Sequence, residues 1–414
     1  MADTLVDFPP PQAGSRTLTC RPAADAGCAL SARPGFLPRL VAEIGLQGDV
    51  RHRCVMVAHL FDDTMRMLET IEPYTHWDAI IGVPYSSARP GVAERWRARF
   101  GGRMRFPADL AELERTLATE LARSLASCAK TGQRLVVQDV GGFAAPLLQT
   151  YFSDRLHLVK GVIEITKQGV WRAAEVPLGF PVLHCADSQL KRLEAVRCGE
   201  TVARCIDGVA RALGLSLAGR AALVMGAGWI GTGVARALRR FDMTTSLVDT
   251  DPVRVLEARL DGYAADLTPS RLGAAELIVG ATGRCSVDAQ TLAALPDGAI
   301  VASASSRQIE IDVDWLRQFP STRVIDGLAE FRVSTTRGTR RVLLVNDGFP
   351  ANFLPGSSSV ADEIVEPILG ELIVLQKALM ANDFPPGLHR IAPDDEATCA
   401  RLWLAMRNEP LGAA

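Results

Sequence analysis

Apolar positions follow two rhythms along the chain. Leu113, Leu117, Leu121 and Leu125 recur every four residues, which predicts a helix over Leu110–Cys128. Short unbroken apolar runs, "DAIIGVP" at 78–84 and "RLVVQDVGG" at 134–142, predict strands covered on both faces. From Arg53 to Met67 an apolar run leads into a helical pattern. Alternation of this kind predicts an α/β fold on a parallel sheet. A second alternation begins near Gly199. Val202, Ile206, Val209 and Leu213 share one helix face, with Gly214 as a stop. A strand, glycine turn and helix follow in "GRAALVMGAGWIGTGVARALRRF", then strand ends in "TTSLVDTD", "AELIVGATG" and "GAIVASAS". An amphipathic helix over Val360–Met380 closes the pattern. The expected organisation is an N-terminal arm (1–36), one unit from 37–197 and 351–385, a second unit (198–350) inserted into it, and a C-terminal tail (386–414).

Composition narrows the class. Of 414 residues, 48% are apolar and 22% charged, with a formal net charge of −2. These values suit a globular protein and favour neither nucleic acid nor an anionic membrane as partner. Nine scattered cysteines without a CxxC pair read as reduced thiols, and no secretory leader is recognised, so a cytoplasmic location is expected. No metal site is expected either.

Gly226, Gly228 and Gly231 form GxGxxG directly after the strand Ala221–Met225. The first permits a tight turn, the second lets backbone approach a pyrophosphate, and the third lets helix and strand pack closely. The helix start, with Trp229 and Ile230, then offers free N–H groups to the phosphates. Asp249 ends the next strand, 23 residues after Gly226, where a carboxylate accepts from a ribose 2′-hydroxyl and repels a 2′-phosphate. That pattern predicts NAD. Asp251, before Pro252, is expected to cap the next helix.

Around this motif the chain resembles the S-adenosylhomocysteine hydrolase family. "HLFDDTMRMLET" is similar to its His-Met-Thr helix, "PYSSA" to its Phe-Ser-Thr turn, "QDVGG" to its Asp-Asp-Gly-Gly turn, and "EITKQGV" to its Glu-Glu-Thr-Thr-Thr-Gly-Val segment. "ADSQLKRLEAVRCG", "IEIDVDWL" and "LLVNDGFP" resemble further family segments in order, so the likeness spans roughly residues 53 to 380. It implies a Rossmann NAD domain inserted into an α/β substrate domain, a homo-oligomer (dimer or tetramer) and a small-molecule substrate. The implied chemistry oxidises a hydroxyl, eliminates a thiol, adds water and reduces again. By resemblance His59 is the catalytic histidine, and Lys191 is a base whose pKa burial would lower. Thr166, Thr282 and Asn346 are cofactor contacts.

The same comparison shows losses. Ala195, Val196, Ala186 and Ile165 stand where the family has an aspartate, two asparagines and a ribose-holding glutamate. Val140 replaces its catalytic aspartate and leaves Asp139 beside it. The histidine of its Gly-His-Phe-Asp segment falls near Ser306, and Phe349 replaces another histidine. Glu164 and Glu194 are candidates to replace lost carboxylates. A pocket stripped of hydroxyl-binding groups loses its grip on ribose, so a substrate other than S-adenosylhomocysteine is expected. A simple NAD-dependent dehydrogenase and a catalytically silent NAD-binding paralogue are the alternatives.

Overall fold

The computed structural model describes residues 35–408 except 88–90, 306, 337 and 355–359. Ser306 and most of the expected N-terminal arm therefore lie outside the described residues. The arm's last residue, Phe36, is buried at the start of the helix Phe36–Glu43.

Among the described residues, fifteen strands form two sheets. The first is wholly parallel in the order β15-β6-β5-β4-β1-β2-β3. Its strands are β1 (His52–Ala58), β2 (Trp77–Gly82), β3 (Met104–Arg105), β4 (Arg134–Asp139), β5 (Val159–Glu164), β6 (Pro181–His184) and β15 (Gly387–Arg390). The second sheet contains β7 (Ala221–Met225), β8 (Thr244–Val248), β9 (Ala264–Asp266), β10 (Leu277–Gly280), β11 (Ala299–Ser303), β12 (Ser321–Ile325), β13 (Leu328–Thr335) and β14 (Gly338–Val345). Its order is β12-β13-β14-β11-β10-β7-β8-β9, parallel except for the antiparallel pairs β12–β13 and β13–β14. The second sheet lies in the chain between β6 and β15, so the first sheet is interrupted by it.

Residues 386–408, read from the sequence as part of a tail, are structured instead. β15 extends the first sheet beside β6, and the helix Pro393–Asn408 follows. Four residues of strand carry too little periodicity to stand out, and β15 is legible only through its partner. The expected boundary near residue 198 falls inside one unbroken helix, Gln189–Ala212. Its start is capped by Ser188 Oγ, which accepts from the Lys191 N–H at 2.9 Å. Its middle presses on the helix Trp229–Arg240, where a Cβ on Gly199 would lie 2.3 Å from Ile230 O. The helix therefore joins side chains of the first sheet's chemistry to the glycine turn of the second.

Candidate active site

Parallel strands turn their carboxyl ends the same way, and loops leaving those ends gather side chains from distant parts of the chain. Here the loops after β1, β4, β5 and β6 meet those after β7, β10 and β11 around one cleft of about 620 Å³.

The cofactor end is built from backbone. Gly226 has φ +108° and a Cβ there would meet Ala281 O at 2.6 Å; a Cβ on Gly231 would lie 1.9 Å from Gly226 O. Around Gly228 the nearest atom to an added Cβ is Arg254 Nη1 at 3.7 Å, so that face is open for a ligand. No side chain caps the helix Trp229–Arg240, and its first turn carries no acid. This leaves its positive end for an anion. Asp249 Oδ2 accepts from the Ala227 N–H at 2.8 Å, and Oδ1 accepts from the Asp251 N–H at 2.9 Å. The carboxylate thus braces the glycine turn from the strand end, with Arg254 Nη1 3.5 Å away. Asp251 caps the following helix by accepting from the Val253 N–H at 2.9 Å, as expected. An open glycine, an uncapped helix start and an adjacent strand-end carboxylate fit a dinucleotide diphosphate and ribose.

Gly228, Trp229, Ile230, Thr166 and Thr282 line the cleft together with His59, Asp139, Lys191 and Glu194. Thr282 Oγ1 donates to Glu310 Oε2 at 2.9 Å. Glu310, which sequence reasoning passed over, is fully buried and also accepts from the Gly283 N–H, from Ser305 Oγ and from Ser286 Oγ. It organises the loops after β10 and β11, and its signal lay inside the "IEIDVDWL" segment. Thr166 Oγ1 is taken up locally: it donates to Glu164 Oε1 at 2.7 Å and accepts from the Gly169 N–H at 3.0 Å. Asn346 lies outside the cleft wall and donates through Nδ2 to Pro350 O at 2.8 Å.

The catalytic candidates carry two corrections. Burial pulls the Lys191 ammonium down, but the Glu194 carboxylate 2.8 Å away outweighs it and holds the lysine above its ordinary range. Lys191 is therefore a paired cation rather than a base loosened by burial. Glu194 itself is buried in that pair. Glu164 does not replace a lost ligand-binding carboxylate. Its oxygens accept from the Gly141, Gly142 and Thr166 N–H groups, and it is 1% exposed. Asp139, paired in register with Glu164 across β4 and β5, is also engaged, accepting from Val140 N–H at 2.9 Å and Ala144 N–H at 2.6 Å. Burial pushes both carboxyls upward, and their proximity adds to it for Glu164.

His59, just beyond β1, has Nε2 3.0 Å from Tyr85 Oη and sits against Phe353 at 5.2 Å between ring centroids. Phe61 and Phe353 stack at 5.2 Å and extend this aromatic wall. Asp63 also lines the cleft, and burial pushes its carboxyl up to about 6. Ile165, Ala186, Ala195 and Val196 all face the cleft. The aromatic wall, Tyr85 and Asp63 were not singled out from the sequence, because their role depends on tertiary neighbours.

Among the described residues no helix is long and apolar enough to cross a membrane, and no cluster of metal-ligating side chains occurs.

Residues 198–354 match the model of the S-adenosyl-L-homocysteine hydrolase NAD-binding domain. The chain is 28% identical over 278 residues to the S-inosyl-L-homocysteine hydrolase of Methanopyrus kandleri, covering 65% of each chain. It is 30% identical over 277 residues to the adenosylhomocysteinase of Aeropyrum pernix, covering 65% of this chain and 66% of that one. The match thus spans just under two thirds of these relatives. A solved D-isomer specific 2-hydroxyacid dehydrogenase from Polaromonas sp. JS6 66 is 20% identical with a TM-score of 0.41, over 72% of this chain and 95% of that one. That likeness is too distant to bear on function. Residues 198–354 are thus an NAD-binding domain of the S-adenosyl-L-homocysteine hydrolase type, and the cofactor is NAD.

Proposed function

We propose that this chain is an NAD-dependent enzyme that cleaves a nucleoside-like thioether other than S-adenosyl-L-homocysteine. One observation carries the reading: a single cleft holds the dinucleotide turn, the Lys191–Glu194 pair and His59. Bound NAD supplies a reversible hydride acceptor. The protein's own residues do the rest. Lys191 donates to a substrate hydroxyl oxygen and holds it in place. Because Glu194 keeps it charged, Lys191 takes that hydroxyl's proton only by first passing one to Glu194, so the two act as one unit. His59 lines the same cleft, where an imidazole can hand a proton to a departing sulfur. The apolar side chains of Ile165, Ala186, Ala195 and Val196 on the cleft wall support a substrate with fewer polar groups facing those four positions.

The test begins with acid release of NAD from the purified protein. Separate incubations with S-adenosyl-L-homocysteine, S-inosyl-L-homocysteine and a panel of nucleoside thioethers follow, with absorbance at 340 nm and free thiol both recorded. The reading expects retained NAD, thiol release from a panel member without net NADH, and negligible turnover of S-adenosyl-L-homocysteine. Stoichiometric NADH would make the protein a dehydrogenase. Efficient hydrolysis of S-adenosyl-L-homocysteine would remove the altered specificity.

A further inference from the structure

A carboxylate accepts hydrogen bonds and has none to give, so a buried one dictates how the hydroxyls around it point. Glu310 is fully buried. Its Oε1 accepts from the Gly283 N–H and from Ser305 Oγ. Its Oε2 accepts from Thr282 Oγ1 at 2.9 Å and from Ser286 Oγ at 2.5 Å. A hydroxyl has one hydrogen and two lone pairs. The Ser305 hydrogen goes to Glu310. The Thr282 hydrogen goes to Glu310 or to Arg284 O, each at 2.9 Å. Whichever of the two Thr282 serves, neither hydroxyl keeps a hydrogen for a ligand. One lone pair on each is taken as well, by the Arg284 N–H at 3.1 Å from Thr282 Oγ1 and by the Gly283 N–H at 3.2 Å from Ser305 Oγ. The remaining lone pair can only accept.

Thr282, Gly283 and Ser305 line the cleft. The strand order β11-β10-β7-β8 puts them on one side of the glycine turn and Asp249, just past β8, on the other. With one ribose at Asp249 and the diphosphate over the turn after β7, the second nucleoside of the dinucleotide extends over the ends of β10 and β11. Its base is nicotinamide, whose primary amide offers two N–H hydrogens. Asn346, expected as a cofactor contact, is tied to Pro350 O outside the cleft wall. We propose that Ser305 and Thr282 read the carboxamide of the cofactor as acceptors, and that Glu310 is the positioning residue that holds them in that role. A site built to accept from an N–H rejects a ligand that lacks one. A carboxylate in the amide's place fares worst, because it sets oxygen against oxygen with the buried Glu310 behind.

The experiment is calorimetric titration of cofactor-stripped protein with NAD and two analogues. In the acetylpyridine analogue a methyl group replaces the amide nitrogen, and in deamido-NAD a carboxylate replaces the carboxamide. Wild type is expected to bind the acetylpyridine form about tenfold, and the deamido form about a hundredfold, more weakly than NAD. Ser305→Ala is expected to weaken NAD about three- to tenfold and to leave the acetylpyridine form unchanged, so the gap between them narrows. Glu310→Ala releases the Ser305 hydrogen toward the ligand and is expected to bring the deamido form about tenfold closer to NAD. Deamido-NAD bound by wild type within about twofold of NAD overturns the proposal. So does a Ser305→Ala protein that loses affinity equally for all three ligands, the mark of a purely structural role. Unchanged discrimination by Glu310→Ala removes Glu310 as the positioning residue. Wild type and Ser305→Ala decide the matter even if Glu310→Ala does not fold. No substrate enters the measurement, so its outcome is independent of which thioether the protein cleaves.

Discussion

The two ends of the cleft are built on different principles. At the cofactor end the groups that matter are backbone atoms brought close by missing side chains. Gly231 allows a helix to sit where a Cβ would lie 1.9 Å from Gly226 O, and Gly228 leaves the turn open. At the substrate end the groups that matter are side chains, and many of the expected polar ones are apolar. A backbone cradle accepts any dinucleotide diphosphate and tolerates drift elsewhere. A side-chain pocket changes its ligand whenever its residues change. On the proposed reading the molecule keeps its oxidant while its specificity moves.

The largest expected break falls on the substrate end. Lys191→Ala should leave NAD content unchanged and slow substrate-driven reduction at 340 nm by about 10³-fold, the range of a lost proton-transfer group. Unchanged rates would take the Lys191–Glu194 pair out of the chemistry. The corresponding break at the cofactor end is Gly231→Ala. The added Cβ has only backbone to push against, so the second sheet should lose about 3 kcal/mol and the protein should purify without NAD. Retained NAD would show that the turn relaxes. A smaller effect is expected from Asp249→Asn: roughly tenfold weaker NAD binding by titration, because the ribose loses a charged acceptor. Equal affinity would reassign that contact.

The smallest effect concerns a buried carboxyl outside the cleft lining. Glu371 is fully buried in the helix Asp362–Ala381, accepts from Ser188 Oγ at 2.9 Å, and burial pushes it up to about 8. A raised folded pKa means that this acid stabilises the fold at low pH and that the contribution is lost as pH rises through about 8. Glu371→Gln should therefore match wild type in thermal melting at pH 5 and exceed it by about 3 °C at pH 8.5. The opposite order at pH 8.5 would mean that Glu371 is held as an anion.

What was legible in the sequence follows the same division. The glycine turn and Asp249 lie within one βαβ unit, so their spacing states their geometry. The parallel α/β architecture was legible from runs of apolar residues covered on both faces. The sign of the Lys191 shift was not, because burial and ion pairing oppose one another and only the distance to Glu194 decides which wins. The burial of Glu371 was not legible either, since its partner Ser188 lies 183 residues earlier. Tyr85 and His59, from the ends of neighbouring strands, meet only once β1 and β2 pair. The strand β15 was hidden because its edge position imposes little pattern on four residues.

Calorimetric titration of cofactor-stripped protein with NAD tests the central claim most directly. The account predicts a saturable heat at one site per chain with micromolar or tighter affinity, and a weaker response to NADP because Asp249 repels a 2′-phosphate. A flat titration with NAD, from protein that remains folded, would contradict it.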